Sequence, residues 1–229
     1  MWYTLYSTFN TASNRWVDTD ILDEIADKPT MPWPVFSKEE FRFTISSYNN
    51  SSAPSLDKLS WSYLKIILKD DKCLDTIIYI ANACINLGYW PSYFKKSTMV
   101  IIPKPNKKSY NSPKLFRPII LFNTVDKLIE KVIGKRLQFN TVINDFIYLS
   151  QLKGFKFKLT TNIGVVLTHT IWASWIKNLY TSTLTFDIAQ FFSLLNHQLL
   201  FFIMKKASFD HCIVSFFANY LVNRRTNYS

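Results

Sequence analysis

Thr98-Met-Val-Ile-Ile-Pro-Lys-Pro-Asn-Lys-Lys-Ser-Tyr-Asn-Ser-Pro-Lys-Leu-Phe-Arg-Pro-Ile-Ile-Leu121 is the stretch that decides the architecture. Its ends, Thr98 to Ile102 and Arg117 to Leu121, are apolar runs of strand-forming residues. Between them, Pro103 to Lys114 is basic and interrupted by proline, which cannot donate to a ladder. Two apolar strands joined by a basic loop predict an antiparallel hairpin with its tip in solvent.

The flanking segments read as helices. Upstream, Leu74, Ile77, Ile78, Ala81, Cys84 and Ile85 recur at helical spacing, with Asp70 or Asp71 to cap the start. Gly88, followed by Pro91, can end that helix. Ser37-Lys-Glu-Glu40 has the form of a capping box opening a helix to about Tyr48, and another helix runs from the loop Ser51 to Ser55 to roughly Lys69. Downstream, Asn123 or Thr124 can cap a helix with Val125, Leu128, Ile129, Val132, Ile133 and Leu137 on one face. Further helices are expected over Asn162 to Ile176, from about Asn196, and over Cys212 to Val222, the last ending at Arg224-Arg225. Ser182 to Ile188 is rich in strand formers. Residues 1–35, closed by Pro29, Pro32 and Pro34, read as a linker or arm. This order of elements indicates an α+β or α/β fold.

Composition sets limits. Of 229 residues, 48% are hydrophobic and 17% aromatic, which excludes a disordered chain. Four glycines and no heptad period exclude collagen and coiled coil. Cys73, Cys84 and Cys212 are too scattered for a disulfide framework, and with His169, His197 and His211 they form no zinc-ligand spacing. No signal peptide or bilayer-length apolar run is present, so a soluble intracellular chain is expected.

Charge is concentrated. The chain has 27 Lys+Arg against 16 Asp+Glu, and Lys95 to Lys158 alone holds 14 cations against three acids, the whole excess of +11. Such a block points to a polyanion, either nucleic acid or an anionic membrane surface.

Several side chains are candidates for chemistry. Asp187, at the end of the Ser182 to Ile188 run, is placed to hold a metal near a phosphate or, equally simply, to cap the next helix. Lys104 and Arg117 flank the hairpin loop; they can clamp a triphosphate, or belong to a solvated tip. Lys153-Gly-Phe-Lys-Phe-Lys158 interleaves cations and aromatics, as in a nucleic-acid stacking surface or an alternating strand. His169 reads as a core histidine, and Trp172 with Trp175 as packing.

The order of these motifs resembles the N-terminal half of a reverse transcriptase of the non-LTR (LINE-type) retrotransposon family. Ser51-Ser-Ala-Pro-Ser-Leu-Asp-Lys-Leu-Ser-Trp61 is similar to the family's S-x-x-P-G-x-D-G segment, with Ser55 and Lys58 where the family has glycines. Leu87-Gly-Tyr-Trp-Pro-Ser-Tyr-Phe-Lys-Lys96, Ile101-Ile-Pro-Lys-Pro105 and Phe116-Arg-Pro-Ile119 resemble its fingers hairpin. Ser150-Gln-Leu-Lys-Gly-Phe155 with Thr160-Thr161 resembles Q-x-G-F…S-T. Phe186-Asp-Ile-Ala-Gln-Phe-Phe192 with Asn196-His197 resembles the palm motif, and Phe216 to Arg224 the helix end that follows it.

The resemblance implies an α+β fold, a partial right-hand polymerase with fingers over about 36–180 and the start of the palm over about 181–229. It implies that Asp187, with the carbonyl of Ile188, binds Mg2+; that Phe192 excludes a ribose 2′-hydroxyl; and that Lys104 and Arg117 bind the phosphates of an incoming dNTP. Gln151, Gly154 and Phe155 would contact an RNA or DNA template-primer. The family's second metal motif, aromatic-x-Asp-Asp, does not occur in these 229 residues, so a polymerase fragment inactive alone is expected. The alternative is a non-catalytic basic nucleic-acid-binding module.

Overall fold

In the computed structural model, which describes residues 30–51, 57–144, 146, 160–187 and 195–228, the hairpin forms where its sequence predicts. Strands β1 (Lys96–Pro103) and β2 (Phe116–Leu121) run antiparallel, in register from Thr98 opposite Leu121 to Pro103 opposite Phe116. A short 3-10 turn, Pro113–Leu115, feeds β2. A third strand, β3 (Arg225–Tyr228), lies parallel to β1, with Lys96 opposite Arg225 and Met99 opposite Tyr228, so the sheet order is β2-β1-β3. Polar and four residues long, β3 carries no alternation that would announce it. Its place comes from specific bonds: Arg225 N–H donates to the Lys95 carbonyl at 3.0 Å, and the Ser97 and Thr226 hydroxyls meet at 3.0 Å.

Seven helices accompany the sheet among the described residues: α1 (Lys38–Ser46), α2 (Trp61–Ile67), α3 (Asp71–Asn86), α4 (Thr124–Ile143), α5 (Thr160–Ile176), α6 (His197–Lys206) and α7 (His211–Leu221). Together with the small mixed sheet they make a helix-rich α+β chain. Their starts follow the capping chemistry. Ser37 and Glu40 form a reciprocal capping box on α1; Ser60, Asp70, Asn196 and Asp210 cap α2, α3, α6 and α7. Gly88 ends α3 at φ +58°, and an added Cβ there would lie 2.8 Å from Ser215 Cβ on α7. Only glycine fits both that backbone and that contact.

The chain divides into two compact units, residues 1–134 with 190–229, and residues 135–189. In the first, Phe41, Leu64, Leu74, Ile85, Trp90, Leu128, Ile129, Ile213 and Phe216 are almost fully buried. Each such side chain stabilises the fold by roughly 1.5–3 kcal/mol relative to exposure. Trp90 is central, with its ring edge-on to Phe216 at 5.6 Å and to Tyr220 at 5.7 Å. The described end of the N-terminal arm joins this core: Met31 is buried and its N–H donates to the Ser208 carbonyl at 2.8 Å.

The second unit departs from the sequence expectation twice. Helix α5 has no charged residue, and nothing among the described residues of its own unit covers it, so His169, Trp172 and Trp175 are exposed rather than core. Residues 181–187 are irregular rather than a strand, because no described segment offers them a ladder partner and a strand without one has no stability. No helix among the described residues is long and apolar enough to cross a membrane.

Candidate functional site

The hairpin brings two of the expected residues together. Lys104 follows β1 directly, and its N–H donates to the Leu115 carbonyl at 2.8 Å, extending the ladder by one step. Arg117 sits opposite Ile102. Strand alternation puts Ile102 and Lys104 on one face, so Lys104 and Arg117 are diagonal neighbours there. Lys104 is half-buried and its ammonium donates to the Lys114 carbonyl at 2.7 Å, which pins it across the loop. Arg117 is exposed, and no ion pair or hydrogen bond engages its guanidinium among the described residues.

The loop has internal order. Tyr110 donates its hydroxyl to the Lys104 carbonyl at 2.8 Å, and its ring lies 5.7 Å from that of Phe116. Asn106 takes the turn at φ 59°. Lys107, Lys108 and Lys114 all point into solvent, so the loop presents cations without acids to neutralise them. Ile102, Ile119 and Ile120 remain two-fifths or more exposed, which leaves the hairpin apolar on both faces beneath its charged end.

The roots of the hairpin are held by side chains that the sequence reading did not single out. Before β1, buried Lys95 donates to the Asn219 backbone carbonyl at 2.8 Å and to its side-chain oxygen at 3.0 Å, while Asn219 also accepts from Trp90 N–H at 2.8 Å. Burial, then the charge of Arg224, draw the Lys95 ammonium below the ordinary lysine range. After β2, Asp57 accepts from Thr124 N–H at 3.0 Å. Further along α4, Glu130 accepts from the Tyr220 hydroxyl at 2.7 Å and pairs with Arg224 at 3.4 Å, and Arg224 lies 4.6 Å over the Phe122 ring. Asp57, Lys95 and Asn219 each fall inside a stretch that resembles a family motif, but none was given a role there. Glu130 looks like an ordinary helix residue.

Asp187 belongs to the second unit and is exposed at the end of an irregular segment. Ile188 and Phe192 lie outside the described residues, as do Gln151, Gly154 and Phe155. Magnesium binds through one or two carboxylates with substrate phosphates and water completing its octahedron. The described residues contain no group of three or more His, Cys, Asp or Glu side chains that could hold a metal ion.

Comparison with known proteins agrees with the motif order. Over 123 residues the chain is 28% identical to the "Probable RNA-directed DNA polymerase from transposon BS" of Drosophila melanogaster, covering 52% of this chain and 13% of that protein. Over 134 residues it is 27% identical to the "Probable RNA-directed DNA polymerase from transposon X-element" of the same fly, covering 58% and 14%. The chain is related to the RNA-directed DNA polymerases of non-LTR retrotransposons. A third such relative, the "RNA-directed DNA polymerase from mobile element jockey", is 24% identical over 119 residues, 51% of this chain and 13% of its own length. The matched stretch thus spans about a seventh of the curated relatives. No protein-family model matches the chain.

Proposed function

We propose that this chain forms the fingers and the first part of the palm of a non-LTR RNA-directed DNA polymerase, and that its hairpin binds the triphosphate of the incoming nucleotide. The observation that carries this reading is the diagonal placement of Lys104 and Arg117 on one face of the hairpin. Arg117 offers a planar fork of donors to phosphate oxygens, and Lys104 a compact charge already fixed across the loop by the Lys114 carbonyl. Lys107 and Lys108 raise the local concentration of polyanion around them. Gln151, Gly154 and Phe155 would touch the template, and Phe192 would exclude the ribose 2′-hydroxyl. Asp187, with the Ile188 carbonyl, would give one of the ligands that such chemistry takes from several carboxylates.

On this reading these 229 residues do not polymerise DNA unaided, because they contain no aromatic-x-Asp-Asp segment. A primer-extension assay with template, dNTPs and Mg2+ tests this: incorporation above that of an Asp187→Ala control would overturn it. The concentration of all excess charge in Lys95 to Lys158 also favours a second reading, a nucleic-acid-binding module that acts without catalysis. It requires RNA or DNA affinity that falls steeply with salt. Binding absent near 50 mM salt, or unresponsive to salt, would refute it.

A further inference from the structure

Asp57 serves a helix 67 residues away. One carboxylate oxygen accepts from Thr124 N–H at 3.0 Å, and the other accepts from Leu59 N–H at 3.1 Å. The Thr124 hydroxyl donates back to the Leu59 carbonyl at 2.6 Å. These three bonds close a clamp between the 57–59 turn and the first residue of α4. The turn holds its shape with Lys58 at φ 54°, a left-handed conformation that disfavours any side chain with a Cβ. The Leu59 bond is a local turn contact, whereas the Thr124 bond is long-range, and α2 has its own cap in Ser60, whose Oγ accepts from Tyr63 N–H.

The chemistry of the contact is that of a helix N-terminus, where backbone N–H groups lack intrahelical partners and negative charge is favoured. What matters is its location. Buried Thr124 follows Leu121, the last residue of β2, by three positions. The clamp therefore fixes the point at which the returning strand is attached to the helices, just as Lys95 and Asn219 fix the outgoing one.

We propose that Asp57 is a positioning residue that anchors the root of β2, and through it sets the attitude of the phosphate-binding hairpin on the helical body. This rests on the reading of Lys104 and Arg117 given above. Asp57 touches no nucleotide; it acts through Thr124.

The test uses the whole chain, amide hydrogen exchange and inorganic tripolyphosphate as probe. Asp57→Ala should speed exchange of β2 and of the first turn of α4 by about fivefold to tenfold, the usual consequence of removing one cap. It should also weaken tripolyphosphate binding several-fold. Asp57→Asn keeps an accepting oxygen and should restore the protection. Asp70→Ala removes the same charge and a cap from α3, and should leave β2 exchange unchanged. Parent-like β2 exchange in Asp57→Ala, or equal acceleration in Asp70→Ala, overturns the anchor itself. Accelerated β2 exchange in Asp57→Ala, together with parent-like tripolyphosphate binding by Lys104→Ala, would overturn the phosphate reading and the positioning role with it, leaving only the anchor.

Discussion

Asp126 lies one helical turn before Glu130 on α4, fully buried, and no other residue donates a hydrogen bond to its carboxylate. Burial foremost, then the Glu130 charge and, more weakly, that of Asp57, push its carboxyl up to about 7; its own backbone N–H and Lys127 oppose this. The helix that receives the hairpin thus begins with an acid that keeps its proton well above the ordinary carboxylate range.

Stability should therefore depend on pH in a defined window. With the folded value near 7 and an unfolded value of about 3.9, the native state binds the extra proton between them. The stabilisation is fully present below about pH 4, falls as pH rises toward 7, and is gone above it. The whole effect is on the order of 4 kcal/mol, at about 1.4 kcal/mol per unit. Asp126→Asn should flatten the profile and raise the urea midpoint at pH 8. Parallel profiles for parent and variant would refute the assignment.

Lys58, at the position where the motif it resembles carries glycine, takes a left-handed φ of 54°. Lys58→Gly should stabilise the chain by a few tenths to about 1 kcal/mol, relief of left-handed strain being partly offset by the freedom glycine adds to the unfolded state. Thermal unfolding checks this. A lower Tm would mean that the Lys58 side chain makes a compensating contact.

Asn219→Ala should cost about 2–3 kcal/mol, since it removes a side-chain acceptor from the buried Lys95 ammonium and from Trp90 N–H together. Chemical denaturation measures the loss. Protection of the β3 amides should fall with it, because Lys95 also accepts from Arg225 N–H.

Exposed Lys107 and Lys108 should act on RNA through charge alone. Replacing both with alanine should reduce the slope of log affinity against log salt by about 1.4 for single-stranded RNA, without changing sequence preference. An unchanged slope would move the polyanion surface away from the hairpin tip.

What could be read in advance follows the range of the interactions. The hairpin, the α1 capping box and the cap of α3 depend on residues within a few positions of one another, and each stands where the sequence puts it. The basic face with Lys104 and Arg117 was legible for the same reason, as strand alternation converts local spacing into shared orientation. What escaped depends on distant partners. Asn219 answers to Lys95 across 124 residues and Asp57 to Thr124 across 67. The strand expected to end at Asp187 failed in the opposite sense: its residues suit a strand, but no described neighbour completes the ladder. His169 misled because an uncharged helix gives no sign of which face is covered.

Strand β3 has a consequence for how the chain reaches this shape. Its Thr226 meets Ser97 across 129 residues, whereas β1 and β2 are joined by a short loop. Closing the local hairpin is fast, but parallel pairing over that separation carries a large loop entropy and comes late. During synthesis the β1 edge from Lys96 to Met99 therefore emerges long before the strand that covers it. For that interval the nascent chain displays an unpaired strand edge, the surface on which misassociation starts and chaperones act.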